Sequence, residues 1–303
     1  MIAAGIDLGG TKIEVQVFDA DWQVVARNRV PTPKEYGALV KALADQIAWV
    51  HEQAKKDVPI GIGAAGLVNP ATGLALTANL CATGKPLPRD VAKAAGRPIT
   101  YVNDCRSLAL SEAVFGAGKG HRSVMSLILG TGVGGGIAVD GHLLPGPSMT
   151  GGEFGHISAP AHLVQRYGLE VVKCGCGRMG CSETLIAGPG LSRIAKSIIG
   201  RPMSPPDIVA ARETDELAQK VWQIWRELTA DLLRALTLIV DPDIIVVGGG
   251  LTQIPGMADD LNQALDKARL GDFEVPPVVV AQGGDTSGAR GAAYAAFQET
   301  SSV

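Results

Sequence analysis

Residues 5–19 read GIDLGGTKIEVQVFD, which is an apolar strand, a glycine turn and a second strand of alternating character. This order predicts a β-hairpin with strands over Ile2 to Asp7 and Ile13 to Asp19, joined at Gly9-Gly10-Thr11. Glycines at the bend allow backbone N–H groups to approach an anion closely, and Asp7 beside them is placed to act on a magnesium ion or its water. An ordinary hairpin with a capping aspartate explains the same residues.

The same order returns at residues 126–141, SLILGTGVGGGIAVDG, where Asp140-Gly141 is typical of a hairpin turn. Two copies of one supersecondary unit, one in each half of the chain, predict an α/β protein with two related domains facing each other across a cleft. We place a small N-terminal domain at 1–117, completed by a C-terminal helix at about 289–303. The larger C-terminal domain, with a cysteine-rich loop, is placed at 118–288.

Composition narrows the class of protein. The chain has 303 residues, an apolar fraction of 46% and 39 glycines, which suits a two-domain α/β enzyme with many tight turns. A formal net charge of -3 and the lack of a basic stripe argue against nucleic acid as a partner, so we expect small substrates. There is no apolar run of about 18 residues, which argues against a membrane partner. A strand follows Met1 without room for a targeting peptide, so we expect a cytoplasmic protein with reduced thiols.

Two polar residues stand where a predicted strand ends. Ile99 to Val102 read as a strand, and Asn103 and Asp104 follow at the start of a helix that runs to about Phe115. Ligands bind at the carboxyl ends of strands in open α/β sheets, although Asn and Asp are also favoured helix N-caps. Upstream, the turn-rich segment 66–87 offers Asn79 to the cleft, or merely to its own loop backbone.

Apolar residues at helical spacing predict further helices over Tyr36 to Lys56, Leu185 to Ile199 and Asp215 to Val240. One face of the last would carry Leu217, Val221, Trp225, Leu228, Leu232 and Leu236. The apolar strand Ile244 to Val247 leads into Gly248-Gly249-Gly250, where a flat group such as adenine has room against the backbone. A tight strand-to-helix turn is the alternative.

The glycines do not form a standard dinucleotide site or P-loop. Residues 130–135 and 61–66 both satisfy GxGxxG, but neither match is followed by a predicted helix. The pattern GxxxxGK[ST] is absent from the sequence. Phosphates, if bound, are therefore expected at glycine hairpins.

Residues 150–183 concentrate ligand-type side chains. The four soft or borderline donors among them are His156, Cys174, Cys176 and Cys181. Together they supply the tetrahedral ligand set of a structural zinc ion. A reduced cysteine cluster or a disulfide remains open. A zinc ion here would hold the loop that carries Glu153, His156 and Glu183, whose side chains would then be placed to meet a polar ligand.

Several motifs occur in one order over nearly the whole chain. They are DLGGTK at 7–12, ND at 103–104, LGTGVGGG at 129–136, GEFGH at 152–156, CGCGRMGC at 174–181 followed by Ser182-Glu183, and DPDIIVVGGGL at 241–251. Together they resemble the ROK family of sugar kinases and repressors, in the actin-like ATPase superfamily. Within it, TANLCATGKPL at 77–87, Tyr167-Gly168-Leu169 and LTLIVDPDIIVVGGGLTQIP at 236–255 are most similar to bacterial N-acetyl-D-glucosamine kinases.

The resemblance implies two actin-like (ribonuclease H-like) domains and ATP-dependent phosphorylation of N-acetyl-D-glucosamine to its 6-phosphate, with ATP, Mg²⁺ and structural Zn²⁺ bound. Another hexose kinase of the family, for glucose, fructose, mannose or N-acetylmannosamine, is the alternative. By motif, Asp104 resembles the general base. The predicted sugar-binding residues are Asn79, Asn103, Asp104, Glu153, His156 and Glu183. The predicted ATP-binding residues are Gly9, Gly10, Thr11, Lys12, Gly130, Thr131, Gly132, Val133, Gly248, Gly249 and Gly250.

Four further expectations concern assembly, two other classes of protein and the surroundings of Asp104. The family commonly forms dimers, so we expect a homodimer. Family repressors carry an N-terminal helix-turn-helix domain, whereas here the first glycine turn is at residue 9, which argues against a regulator. A filament or chaperone-like ATPase has no need of GEFGH with a cysteine cluster. An arginine close to Asp104 would lower the pKa of that carboxyl, so we expect Arg106 to point away along the helix.

Overall fold

The computed structural model describes residues 1–301, apart from the side chain of Asp285. Its strands are β1 (Ala3–Leu8), β2 (Lys12–Phe18), β3 (Val24–Pro31), β4 (Ile60–Ala64), β5 (Leu67–Val68), β6 (Ala75–Leu76), β7 (Thr100–Asn103), β8 (Ser123–Leu129), β9 (Val133–Val139), β10 (His142–Leu143), β11 (Ile244–Gly248) and β12 (Val278–Val280). Its α-helices are α1 (Tyr36–Ala54), α2 (Leu87–Ala95), α3 (Asp104–Phe115), α4 (Ala161–Tyr167), α5 (Glu183–Ile186), α6 (Gly188–Ile199), α7 (Pro205–Ala211), α8 (Glu216–Val240), α9 (Met257–Ala268) and α10 (Ser287–Ser301). Strands and helices share the chain, so the predicted α/β class is confirmed.

Two five-stranded sheets share one plan. The strand order is β3-β2-β1-β4-β7 in the first sheet and β10-β9-β8-β11-β12 in the second. In each sheet a glycine-turn hairpin contributes its first strand to a parallel pair, β1 with β4 and β8 with β11. The repeat seen in the sequence is therefore a repeat of topology.

The chain divides into two compact units. Unit 1 contains residues 1–120, 136–151 and those from 282 onward, and unit 2 contains 121–135 and 152–281. The predicted domain bounds, 1–117 with about 289–303 and 118–288, stay a prediction. The compact units differ from them chiefly in giving 136–151 and 282–288 to unit 1.

Helix α10 packs unusually close to the first sheet in unit 1. A Cβ added to Gly5 of β1 would lie 1.8 Å from the Ala289 carbonyl oxygen, and one on Gly61 of β4 would lie 1.9 Å from that of Ala292. No side chain fits in either gap, so glycine is required at both positions. Helix α1 packs into the core of the same sheet through its buried apolar residues, which are Leu39, Leu43, Ile47 and Val50.

The start of α10 is fixed to α3 by a buried carboxylate. Glu112 is fully buried and its Oε1 accepts from the Gly283 amide at 2.8 Å and from Ser287 Oγ at 2.8 Å. Its Oε2 accepts from the amides of Ala117 at 3.0 Å and Gln282 at 2.9 Å. One side chain therefore joins three segments of unit 1.

Two predictions about unit 2 are wrong in detail. The helix expected over Leu185 to Ile199 is interrupted, because Ala187 is extended (φ -66°, ψ 164°) and Pro189 lies in the first turn of a new helix, α6. On α8, Leu217 is 45% exposed, whereas Val221, Trp225, Leu228, Leu232 and Leu236 are buried as expected. Leu217 belongs to the first turn of α8, where the cap residue Asp215 bonds its amide. Helices α2, α4, α7 and α9 were not predicted.

Within residues 1–301, no helix combines the length and the apolar character that a membrane span requires.

Candidate active site

The tip of the first hairpin is held by its own backbone and by two neighbouring side chains. The Gly9 amide donates to the Lys12 carbonyl oxygen at 3.0 Å. Thr32 Oγ1 donates to the Gly9 carbonyl oxygen at 2.7 Å, and Lys34 Nζ to that of Gly10 at 2.8 Å. Within residues 1–301 the amides at positions 10 and 11 have no hydrogen-bond partner. They are groups able to meet an anion, as the sequence predicted for this turn.

Two predicted ligand residues lie against glycines of unit 1. A Cβ on Gly10 would be 2.9 Å from the Cβ of Asn79, so Asn79 lies directly behind the first hairpin. The carboxylate of Asp7 lies where α10 begins, because a Cβ on Gly288 would be 3.3 Å from Asp7 Oδ1. The structure therefore brings Asn79 to the predicted phosphate turn, while its sugar-binding role stays a prediction.

Lys12 is part of an ion cluster on β2 and β3. Its Nζ lies 3.6 Å from Oε2 of Glu14, a side chain that is only 1% exposed. Arg29 Nε donates to the same oxygen at 2.6 Å. Burial acts to raise the pKa of Glu14, but the hydrogen bonds from Gln16 and Arg29 and the nearby positive charges bring it below its ordinary value. The ammonium of Lys12, a predicted ATP-binding residue, therefore forms an ion pair with the carboxylate of Glu14.

Asn103 caps the helix that follows β7. Its Oδ1 accepts from the amides of Cys105 at 3.0 Å and Arg106 at 3.2 Å, and its Nδ2 donates to the Gly66 carbonyl oxygen at 3.0 Å. The capping alternative is therefore confirmed for Asn103. One amide hydrogen of Nδ2 remains for a sugar, so the predicted binding role is compatible with the cap and stays a prediction.

Asp104, the predicted general base, is the first residue of α3. Its Oδ1 accepts from the Cys105 amide at 2.9 Å. Burial raises the pKa of Asp104, and the Cys105 amide and the Asn103 side chain only partly oppose this. A carboxylate made more basic by burial suits proton abstraction from a hydroxyl.

The glycine segments of unit 2 meet at the ends of two neighbouring strands. Strands β8 and β11 are parallel, and Gly248 at the end of β11 pairs with Ile128. Beyond them, the Gly130 amide donates to the Gly132 carbonyl oxygen at 3.0 Å, which leaves Thr131 exposed at the tip of the turn. Gly249 has a φ of +89°. The predicted phosphate segment 130–133 and the predicted adenosine segment 248–250 are thus brought together at one edge of the sheet.

Glu183 connects the glycine turn to the cysteine-rich loop within unit 2. Its Oε2 accepts from the Val133 amide at 3.3 Å, and its Oε1 accepts from Cys174 Sγ at 2.8 Å. Its Oε1 also lies 3.7 Å from His156 Nδ1. On the other side of the imidazole, His156 Nε2 is 3.6 Å from Glu153 Oε2. The three predicted sugar-binding residues of unit 2 therefore form one cluster.

The predicted zinc ligands also come together. One donor atom from each of His156, Cys174, Cys176 and Cys181 lies within 4.8 Å of all the others. Bond lengths of about 2.3 Å to sulfur and about 2.05 Å to nitrogen place the corners of a tetrahedron about 3.75 Å apart for two sulfurs and about 3.55 Å for sulfur and nitrogen. The Cys176–Cys181 sulfurs are 3.6 Å apart and Cys174 Sγ is 3.5 Å from His156 Nδ1. The donor set therefore fits a tetrahedral zinc ion.

Comparison with known proteins gives the family. The family model described as the ROK family matches residues 3–299. This chain belongs to the ROK family.

Relatives of this ROK protein include enzymes for two acetamido sugars. It is 39% identical over 293 residues to an N-acetylgalactosamine kinase of Shewanella sp. (strain ANA-3), a match covering 95% of this chain and 94% of the relative. It is 36% identical over 295 residues to an N-acetyl-D-glucosamine kinase of Escherichia coli, with 96% and 97% covered.

Solved structures confirm the actin-like fold of this ROK protein. A ROK hexokinase from Thermus thermophilus superposes with a TM-score of 0.88 at 32% identity, over 100% of both chains. A ROK family glucokinase from Streptomyces griseus in complex with glucose and AMPPNP has a TM-score of 0.78 at 30% identity, over 98% of this chain and 100% of the other.

Sequence reasoning missed some residues that shape the Asp104 region of this ROK protein. Tyr101 precedes Asn103 by two positions on β7 and so lies on the same face of the strand, which is a signal that was available. The guanidinium of Arg106 donates to the carbonyl oxygens of Leu144 at 3.0 Å and Gly151 at 3.4 Å. No local pattern indicates those two partners, which lie far along the chain. That Arg106 points away from Asp104 stays a prediction.

A cavity of about 380 Å³ in unit 2 lies elsewhere than the predicted site. It is formed by α4, α8 and α9, and none of the residues predicted to bind sugar, ATP or metal lines it.

Proposed function

We propose that this ROK protein transfers the γ-phosphoryl group of ATP to the 6-hydroxyl of N-acetyl-D-glucosamine. Two observations support the proposal together. Relatives that are 36–39% identical over nearly the full chain are acetamidohexose kinases. The structure also places a buried carboxylate of raised pKa, Asp104, at the carboxyl end of β7, where open α/β sheets bind ligands.

Asp104 would take the proton of the attacking hydroxyl. The 6-oxygen forms a bond to the γ-phosphorus, the bond from that phosphorus to the bridging oxygen breaks, and ADP leaves. Phosphoryl transfer asks the protein mainly for positioning, charge stabilisation and one proton acceptor. The carboxylate of Asp104, whose Oδ1 accepts from the Cys105 amide, would be this proton acceptor.

The nucleotide would be held by glycine backbone. We assign the anionic phosphates to the turns at 9–12 and 130–133, and the adenosine to 248–250. Within residues 1–301 the amides of Gly10 and Thr11 have no protein partner, and the two segments of unit 2 lie side by side, which supports this assignment. Mg²⁺, which we assign near Asp7, would neutralise phosphate charge when bound.

We assign the further sugar contacts to three residues predicted from the sequence. Glu153, His156 and Glu183 form a cluster that can bind several hydroxyls of one sugar. The adjoining donors His156, Cys174, Cys176 and Cys181 fit zinc. A bound zinc ion would be structural, because four protein ligands complete its tetrahedral shell, and it would fix the orientation of this cluster.

A second acetamido sugar is the other candidate substrate. The N-acetylgalactosamine kinase of Shewanella shares 39% identity, slightly more than the 36% shared with the Escherichia coli N-acetyl-D-glucosamine kinase. The two sugars differ only in the configuration at C4. The other alternative substrates are glucose, fructose, mannose and N-acetylmannosamine.

The test is a sugar panel with ATP and Mg²⁺, assayed by ADP release. We expect the highest kcat/KM with N-acetyl-D-glucosamine, and a higher value with any other sugar would contradict the proposed specificity. Asp104→Asn should lower kcat by about 10²–10⁴-fold while sugar binding is retained. Asp45→Asn, an exposed carboxylate of α1 paired with Lys41, is the matched control and should change neither quantity.

We further propose, from the family resemblance, that the protein is a cytoplasmic homodimer. Light scattering coupled to size-exclusion chromatography would measure the oligomeric mass. A mass near 31.3 kDa would contradict the dimer.

A further inference from the structure

A small cavity lies in unit 1 next to Asn103. Its volume is about 40 Å³, and its walls include Leu67, Val68, Tyr101, Asn103 and Met149. A cavity of this size has room for a hydroxyl-sized group.

One wall carries a hydroxyl without a partner. The Tyr101 hydroxyl oxygen is buried and makes no hydrogen bond within residues 1–301. Burial, and next the negative charge of Asp104, raise the pKa of Tyr101, so the phenol stays protonated and able to donate. A buried hydroxyl left unsatisfied costs free energy, which a ligand hydroxyl would recover.

Another part of the wall is held in a strained conformation. Met149 has a φ of +57°, a region that side-chain-bearing residues rarely adopt. The segment around it is fastened to α3, because Arg106 donates to the carbonyl oxygens of Leu144 and Gly151 on either side. Strain that the surrounding structure maintains is typical of ligand sites.

The cavity's place beside the proposed base identifies the sugar position it would meet. Asp104 would contact the 6-hydroxyl, and C6 is bonded to C5 of the ring. The hydroxyl at C4, the neighbouring carbon, is the nearest other hydroxyl, whereas the C2 substituent lies across the ring. Tyr101 and Asn103 are two positions apart and so lie on the same face of β7, and Asp104 directly follows Asn103.

We infer that this cavity receives the 4-hydroxyl of the hexose and that the Tyr101 hydroxyl is its hydrogen-bond partner. Tyr101 is then a specificity-determining residue that distinguishes gluco from galacto sugars. The inference rests on the proposed function, because the position of C4 follows from the role of Asp104.

The experiment compares wild type with Tyr101→Phe on N-acetyl-D-glucosamine, N-acetylgalactosamine and the 4-deoxy and 3-deoxy analogues of N-acetyl-D-glucosamine. For the better of the two epimers, Tyr101→Phe should lower kcat/KM roughly tenfold, the value of one hydrogen bond. The ratio of kcat/KM between N-acetyl-D-glucosamine and N-acetylgalactosamine should become smaller in the variant. The kcat/KM for the 4-deoxy sugar should be the same in wild type and Tyr101→Phe. The kcat/KM for the 3-deoxy sugar should fall by the same factor as that for its parent.

Stability supplies a second readout. Because the Tyr101 hydroxyl has no partner among residues 1–301, Tyr101→Phe should leave the thermal midpoint of the ligand-free protein unchanged or slightly raised. Tyr294→Phe, on α10 in the same unit, is the matched control and should alter no sugar ratio. The pH profile of kcat/KM should keep its shape in both variants, because Asp104 is intact.

Three results would overturn the inference. The first is that Tyr101→Phe lowers kcat/KM equally for the 4-deoxy sugar and for its parent. The second is that the loss of kcat/KM is absent for the 3-deoxy sugar and present for the 4-deoxy sugar. The third is that Tyr101→Phe destabilises the ligand-free protein. Failure of the wild type on every sugar would contradict the proposed function itself, and with it the assignment to C4. Normal wild-type activity with any of the three results refutes the 4-hydroxyl assignment alone.

Discussion

Gly249→Ala tests whether backbone geometry requires the triple glycine after β11. The φ of Gly249 is +89°, in the left-handed region, where an L-residue costs about 1–2 kcal/mol. Its new Cβ would lie 2.5, 2.8 and 2.9 Å from the O, C and N of Leu129. These atoms are backbone and cannot rotate away, so the strands must shift at a cost of about 1–3 kcal/mol. We therefore expect a loss of about 2–5 kcal/mol in the free energy of unfolding.

Urea unfolding followed by fluorescence measures this loss, since Trp222 and Trp225 lie in the same unit. Leu129 leads into Gly130, so the shift should also raise the KM for ATP. Gly250→Ala is the matched control, because a Cβ there meets no atom within 4 Å and φ is not in the left-handed region. It should change the unfolding free energy by less than about 1 kcal/mol. The reasoning is refuted if Gly249→Ala is as stable as Gly250→Ala.

Three further outcomes are expected. Glu112→Gln places an NH₂ group against backbone donors, so urea unfolding should show a loss of about 2–3 kcal/mol, and an unchanged midpoint would show that these hydrogen bonds contribute little. Cys176→Ala should remove zinc in elemental analysis while Cys81→Ala retains it; a purified wild type without zinc would contradict the site. The pKa of Glu14 is below its ordinary value of 4.5, so its ionised form stabilises the fold above that pH and this contribution is lost as pH falls through the folded pKa. The stability difference between wild type and Glu14→Gln should therefore be larger at pH 7 than at pH 3, and a difference independent of pH would argue against an ionised Glu14.

Local patterns predicted the elements whose signals lie within one stretch of sequence. The two glycine hairpins follow from apolar alternation on either side of a turn, and the α3 cap follows from Asn103 at a strand end. The break at Ala187 was visible in Gly188-Pro189, but helical spacing of the apolar residues outweighed it in our prediction. The exposure of Leu217 could not be read from spacing, because it depends on where α8 meets its neighbours.

The contacts that define the site are mostly between residues distant in sequence. Glu183 accepts a hydrogen bond from the amide of Val133, which is 50 positions away in sequence, and no periodicity indicates that pair. Asn79 against Gly10 and Arg106 against Leu144 are equally non-local. The cysteine cluster is the exception, because zinc chemistry restricts ligand types so strongly that four residues were recognisable before their positions were known.

The close fit of α10 has a consequence for biosynthesis. Residues 287–301 leave the ribosome after all of unit 2, yet Gly5 of β1 and Gly61 of β4 lie directly against the backbone of this helix. Unit 1 therefore cannot finish folding in the order in which it is translated, and its first strands must wait, exposed, for about the time needed to make the intervening chain. A nascent chain halted before α10 should engage chaperones that the released protein no longer needs.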